Sequence, residues 1–239
     1  MISPKDYHEA LVATLTQFIH SLEGKHIAEV GVGSARDSLR LAEMGARSVA
    51  IDLSRAGLNV ARQGMQKRGV KVHLVRGDAF RLPFAEDTFD VVFSQGLLEH
   101  FADPVPAILE QVRVLRPGGF LCVDVPQKWS LARLNAWWHI RRGTWFAGWE
   151  TAYSLDELEN LLVNNNLQVV TSYGWMYFPA LLYGVRNLHT LDERHHMPFW
   201  INRALKERIE SLWRWLENQR WYYRWLACIG AIGQKSTDT

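Results

Sequence analysis

Glu29, Gly31 and Gly33 stand two residues apart in the stretch HIAEVGVGSA, and Asp52 closes the next apolar run, SVAID. Ile27, Ala28 and Val30 read as a short buried strand. Gly31 and Gly33, with the small pair Ser34 and Ala35, then turn the chain into a helix from about Arg36 to Met44. A glycine turn between a parallel strand and a helix lets backbone N–H groups approach a ligand closely. Asp52 lies 21 residues beyond Gly31, where an acid at the tip of the second strand accepts hydrogen bonds from a ribose. The chemistry these residues allow is the capture of a nucleoside-containing cofactor.

Details decide which cofactor. A dinucleotide fingerprint needs glycine at the sixth position of G-x-G-x-x-G, where this chain has the bulky cation Arg36. Glu29, two residues before the first glycine, suits a cationic ligand better than a pyrophosphate. The stretch resembles motif I of the class I SAM-dependent methyltransferases, [DE]-x-G-x-G-x-G, read as Glu29-x-Gly31-x-Gly33-x-Ala35, with alanine in place of the third glycine. Further on, Asp78 and Ala79 resemble the family's adenine-contacting pair, with Phe80 or Leu53 flanking the ring. Ser94-Gln95-Gly96-Leu97-Leu98-Glu99-His100 is similar to its post-motif-II loop, and LRPGGFL at 115–121 to its motif III.

The resemblance spans residues 26–126. It implies S-adenosyl-L-methionine (SAM) as cofactor, held by Glu29, Gly31, Gly33, Ser34, Asp52, Leu53, Asp78, Ala79 and Gln95. It implies an α/β fold: a Rossmann-like doubly wound sheet of seven strands in the order 3-2-1-4-5-7-6, with strand seven antiparallel. His100 is the one candidate for a catalytic base, and a loop-fixing role competes with it. The alternative to an enzyme is a SAM-binding regulatory or assembly protein without catalysis.

The elements that must position these residues follow from pattern. Residues 3–22 read as an amphipathic helix with Leu11, Leu15, Phe18, Ile19 and Leu22 along one stripe. The helix covers the cofactor's edge by family analogy, or simply packs on the sheet. Strand one is about 26–30 and strand two about 48–52, followed by a helix from Ser54 to Lys67. Strand three, VKVHLVRGD, ends at Asp78, and strand four runs from Phe89 to about Ser94. A helix follows over roughly 104–115, and Pro117-Gly118-Gly119 turns into strand five, FLCVDVP. Alternating strands and helices imply a parallel sheet, and ligands bind beyond the carboxyl ends of such strands at the switch point. Glu29, Asp52, Asp78 and Gln95 all stand at such ends.

Ser154 with Glu157 three residues on signals a capped helix, ended by Asn164-Asn165-Asn166. LQVVTSYGW is strand six, and LACIGAIG at 226–233 matches the family's antiparallel seventh strand, beside strand five, so that Cys122 and Cys228 lie on neighbouring strands. Two elaborations of a single 1–239 domain remain, 127–153 and a helical insertion at 175–225. Trp149, Glu150, Tyr153 and Trp213 are their candidate acceptor-binding residues. In 199–225, Ile201, Leu205, Ile209, Leu212 and Leu216 recur at helical spacing with tryptophans and arginines among them. A lid over the acceptor, an interfacial helix touching a membrane and a homodimer surface all fit that pattern.

The whole chain sets outer bounds. With 239 residues, 48% hydrophobic and 22% charged, it is long enough for one α/β domain with an elaboration. A net charge of +2 and no basic stripe speak against nucleic acid. Two cysteines in apolar runs read as reduced core residues of a cytoplasmic protein. All 11 tryptophans lie from Trp129 onward, which favours an apolar, aromatic or lipid-like small-molecule acceptor, with a caged cationic amine as a further option. His195 and His196 beside Asp192 and Glu193 read as solvated surface, since adjacent side chains rarely chelate together, and no metal is expected.

Overall fold

The computed structural model describes residues 10–144, 149–177, 208, 211–212, 215 and 219–237. Its elements run α1 (Ala10–Phe18), β1 (His26–Val30), α2 (Arg36–Glu43), β2 (Arg47–Asp52), α3 (Arg55–Arg68), β3 (His73–Arg76), β4 (Phe89–Gln95), α4 (Val105–Val114), β5 (Leu115–Pro126), α5 (Leu131–Arg141), α6 (Leu155–Val163), β6 (Leu167–Tyr177) and β7 (Leu226–Lys235). Short 3-10 turns at Leu98–His100 and Arg220–Trp225 precede α4 and β7.

The sheet has seven strands in the order β3-β2-β1-β4-β5-β7-β6. The pairings β1–β2, β1–β4, β2–β3 and β4–β5 are parallel, while β7 is antiparallel to both β5 and β6. The expected order and strand direction are therefore present. Cys122 and Cys228 sit on the neighbouring strands β5 and β7, both free, in register with Ile232 and Pro126.

Side chains alternate across each strand, and the central strands bury both sets. Ala28, Val30, Val92, Leu121, Val123 and Ile229 pack with Ile108 of α4 and Leu158 and Leu162 of α6. On the other face Ile27, Val91, Phe93, Cys122 and Ile232 pack with Leu11 and Leu15 of α1 and Leu41 of α2. Near-continuous apolar runs are what a sheet covered on both faces requires.

Local signals set the helix starts. The Ser54 hydroxyl accepts from the Gly57 N–H at the start of α3. Ser154 and Glu157 form a reciprocal capping box on α6, with the Glu157 N–H donating to the Ser154 hydroxyl and the Ser154 N–H to the Glu157 carboxylate.

Three boundaries differ from the sequence reading. The described leading helix ends at Phe18 rather than near residue 22, and it packs on the sheet face. β3 ends at Arg76, not Asp78: the Gly77 N–H makes the last ladder bond, to the Asp52 carbonyl (3.2 Å), and the Asp78 carboxylate then accepts from the Phe80 N–H (3.0 Å). This Asx turn competes with the ladder. Pro117-Gly118-Gly119 does not precede β5 but lies inside it. Leu115 already pairs with Phe89, the register shifts before Val91 pairs Phe120, and Gly118 takes φ +75° in the irregular segment.

Of the stretch 199–225, Arg208, Ser211, Leu212 and Trp215 are helical and Arg220–Trp225 is a 3-10 turn. Trp213 and the His195–His196 pair lie outside the described residues.

Candidate active site

The carboxyl ends of β1, β2, β3 and β4 meet where the strand order reverses between β1 and β4. The turn after β1 opens this edge. Gly31 has φ +78° and Gly33 φ +47°, left-handed conformations that glycine adopts without penalty. A Cβ on Gly31 would lie 2.9 Å from Leu97 Cδ1, whereas one on Gly33 would meet nothing within 4 Å. The first glycine thus makes room for a neighbouring side chain, and the second faces open space. Ser34 is exposed in the same turn. Ala35, fully buried as the cap of α2, also takes a left-handed φ of +53°. That is the position where the motif carries its third glycine, so the alanine sits in a conformation costing an L-residue about 1–2 kcal/mol.

Glu29 is 4% exposed at the end of β1, and its Oε2 finds no hydrogen-bond partner among the described residues. Burial pushes its carboxyl from 4.5 up to about 8. A buried acid with one unpartnered oxygen, beside a glycine turn, fits a cationic amine that supplies the missing donor. Asp37 in the first turn of α2 is also buried, and burial pushes it up to about 6.

Asp52, half-buried, ends β2. Its Oδ1 accepts from the Ser54 N–H (2.7 Å), which fixes the carboxylate and leaves its second oxygen for a ribose hydroxyl. Leu53 beside it is 62% exposed, and Phe80 is also exposed, its ring tilted 53° against that of Phe101 with centroids 4.5 Å apart. Two exposed apolar groups at the strand ends suit the faces of a purine ring. Asp78 is exposed in its Asx turn, while the Ala79 side chain packs on the core, so only backbone of Ala79 is available to a ligand.

Gln95 ends β4. Its Nε2 donates to Asp124 Oδ2 (2.7 Å), and Tyr173 Oη donates to the other oxygen of Asp124. Asp124 is 2% exposed, and burial pushes its carboxyl up to about 7. Glu99, in the 3-10 turn after β4, is likewise buried and pushed up to about 7, with Oε2 lacking a partner among the described residues. The sequence reading missed both acids as site candidates. Each was marked by being an acid inside an apolar run, CVDVP and LLEHF.

The acceptor side is built after β5. His100 is exposed, with Nδ1 3.2 Å from the Trp149 carbonyl. Arg133 of α5 forms an ion pair with the Glu150 carboxylate and donates Nη2 to the Glu150 carbonyl (2.8 Å). The Thr151 N–H donates to the Glu99 carbonyl (2.8 Å), and the Tyr153 N–H to the Pro126 carbonyl (3.0 Å). These bonds tie residues 149–153 to the ends of β4 and β5. Trp149 remains exposed and Tyr153 half-buried. Glu150 therefore carries a structural tie, and Arg133 is the residue that makes it.

Comparison with known proteins bears on the family and the fold. The family model of the methyltransferase domain matches residues 28–123. A ubiquinone biosynthesis O-methyltransferase of Hahella chejuensis is 32% identical over 169 residues, covering 67% of this chain and 70% of the relative. Another of that name from Cereibacter sphaeroides is 27% identical over 165 residues, so the match spans 66% of either chain, just under two thirds. The crystal structure of a SAM dependent methyltransferase from Aquifex aeolicus superposes with a TM-score of 0.58 at 15% identity, covering 97% of this chain and 93% of that one, a likeness of fold. Strand order and sequence match agree, and the chain belongs to the class I SAM-dependent methyltransferases, whose cofactor is S-adenosyl-L-methionine.

Proposed function

We propose that this chain transfers the methyl group of SAM to a small-molecule acceptor of apolar, aromatic or lipid-like character. The observation that carries the reading is the buried Glu29 carboxyl with its orphaned oxygen, beside a left-handed glycine turn at the switch point of the sheet. Glu29 would hold the cofactor's ammonium, the Gly31–Ser34 backbone its amino-acid portion, Asp52 its ribose, and Leu53, Asp78, Ala79 and Phe80 its adenine. Gln95 sets the floor through Asp124. When bound, SAM supplies an already activated methyl group on a sulfonium.

The protein's task is then to align the acceptor and exclude water. Alignment of this kind is worth roughly 7–11 kcal/mol of barrier. Trp149 and Tyr153 offer the acceptor an aromatic wall at the end of β4 and β5, and His100 holds that wall through the Trp149 carbonyl. The names of the relatives, enzymes of ubiquinone biosynthesis, support a small-molecule acceptor of this kind.

Incubation of purified protein with methyl-labelled SAM and fractionated metabolite and lipid extracts tests the proposal. Label is expected in an apolar fraction. A chain that binds SAM in calorimetry yet labels no fraction would overturn methyl transfer and leave the non-catalytic SAM-binding reading standing.

A further inference from the structure

Helix α5 carries a row of side chains that nothing in the site uses. Leu134, Trp137, Trp138, Arg141 and Arg142 follow the i, i+3, i+4, i+7, i+8 rhythm and so share one face. Leu134 is 65% exposed, Trp137 50% and Trp138 51%, and both arginines are exposed. The opposite face is anchored: Ala136 is buried, Arg133 is held by Glu150, and Ser130 caps the helix by accepting from the Arg133 N–H (3.2 Å). The orientation of the row is therefore fixed by the fold. Single exposed apolar residues are ordinary, but a contiguous helical row of leucine and two tryptophans marks an interaction surface.

Charge says what meets it. From Val125 to Trp149 the sequence contains no acid, but has Lys128, Arg133, Arg141 and Arg142 and five tryptophans. The cations are interleaved with the rings. Arg141 stands 4.8 Å from the Trp137 ring centroid, Arg142 4.5 Å from Trp138, and Lys128 5.6 Å from the exposed Trp129. Tryptophan bodies at headgroup depth with arginines reaching phosphates are the composition of a helix lying in a lipid interface. At 11 residues α5 is too short to span a bilayer, and among the described residues no helix is long and apolar enough to cross one. A second copy of the chain is disfavoured as the occupant, since an isologous contact would bring like charges together.

We propose that the outer face of α5 docks the protein on an anionic lipid surface. α5 leaves from the carboxyl end of β5, so docking sets the crevice edge of the sheet against the bilayer, whatever the acceptor. The inference stands apart from the methyl-transfer reading and survives its failure.

Flotation with vesicles of phosphatidylcholine and phosphatidylglycerol in equal parts, against phosphatidylcholine alone, tests it. The native chain is expected to float with the anionic vesicles, less so at about 0.5 M salt, where charge attraction is screened. Trp137→Ala with Trp138→Ala should lower partitioning about tenfold or more. Arg141→Glu with Arg142→Glu should abolish the preference for anionic vesicles. Leu109→Ala, exposed on α4, should stay within about twofold of the native chain, and SAM calorimetry reports folding of every variant. No flotation of the native chain with anionic vesicles overturns the proposal, as does unchanged flotation of the folded Trp137/Trp138 variant. Sedimentation showing a native dimer that these substitutions dissociate would give the face to a second copy instead.

Discussion

Two walls of one crevice are built on opposite terms. The wall made by β1, β2 and α2 buries its acids, Glu29 and Asp37, and leaves the carboxyl of Glu29 short of a partner. The wall made after β5 pairs its acid, Glu150, with Arg133, and leaves its tryptophan, Trp149, in water. An unsatisfied buried polar group is costly, on the order of 1–3 kcal/mol. A ligand that supplies the missing donor offsets that cost. Exposed rings cost little and adapt to many shapes. On the proposed reading the first wall is committed to one ligand, and the second is free to specify whichever acceptor its aromatic residues fit.

The largest break in this contrast comes from Gly33→Val. The new Cβ meets no protein atom, so any loss must come from the left-handed backbone and from the space a ligand needs. Calorimetry should show SAM affinity falling by about 100-fold or more in a folded protein. Normal binding would mean that the turn does not touch the cofactor.

Glu29→Gln sharpens it, through two effects of opposite sign. The native carboxyl holds its proton to about pH 8 when folded, against 4.5 ordinarily. The folded chain then binds more protons than the unfolded one, so the stability this group contributes is full below pH 4.5 and lost as pH rises to about 8. Denaturation of the cofactor-free protein should show the substitution removing that share of the decline and raising stability near pH 8. The same substitution should weaken SAM binding about tenfold and flatten the rise of affinity with pH below about 8, because an amide offers the ammonium no charge. A parallel change in stability and affinity would reduce Glu29 to a packing residue.

Trp149→Ala addresses the other wall. SAM affinity should stay within about threefold, while kcat/KM for the acceptor falls about 10- to 100-fold, the value of burying one large apolar side chain at ~1.5–3 kcal/mol. If both ligands weaken together, the walls are not independent. His100→Ala should have the smallest effect, a loss of a few-fold in turnover with an unchanged pH profile, because the ring is bonded to the Trp149 carbonyl. A base would cost about 100-fold or more and alter the pH dependence.

What could be read without coordinates follows the same division. The committed wall depends on local chemistry that sequence displays: glycines at a turn, an acid at a strand tip, Ser54 and Ser154 at helix starts. Strand order and the antiparallel last strand came with the family pattern. Asp124 was not singled out, because what defines it is long-range. Its partners are Gln95 and Tyr173, and a Cβ on Gly230 of β7 would stand 2.2 Å from its Oδ1. No spacing along the chain announces such a meeting. The outward face of α5 is hidden from sequence for a related reason. Helical rhythm tells which residues share a face, but not whether that face meets core or water, and here Leu134 and both tryptophans face out.

The place of β7 bears on how the chain is made. β7 slots between β5 and β6, and its carbonyls and N–H groups complete both neighbours. During synthesis β1 to β5 can pair as they emerge, but β5 then presents an apolar, hydrogen-bond-hungry edge until residues 226–235 arrive. An open edge of this kind is a template for pairing with other chains, and contacts so distant in sequence form late. The nascent protein is therefore most prone to aggregate in the interval between completion of β5 and insertion of β7, and ribosome-bound chains arrested before and after residue 235 would differ in their need for chaperones.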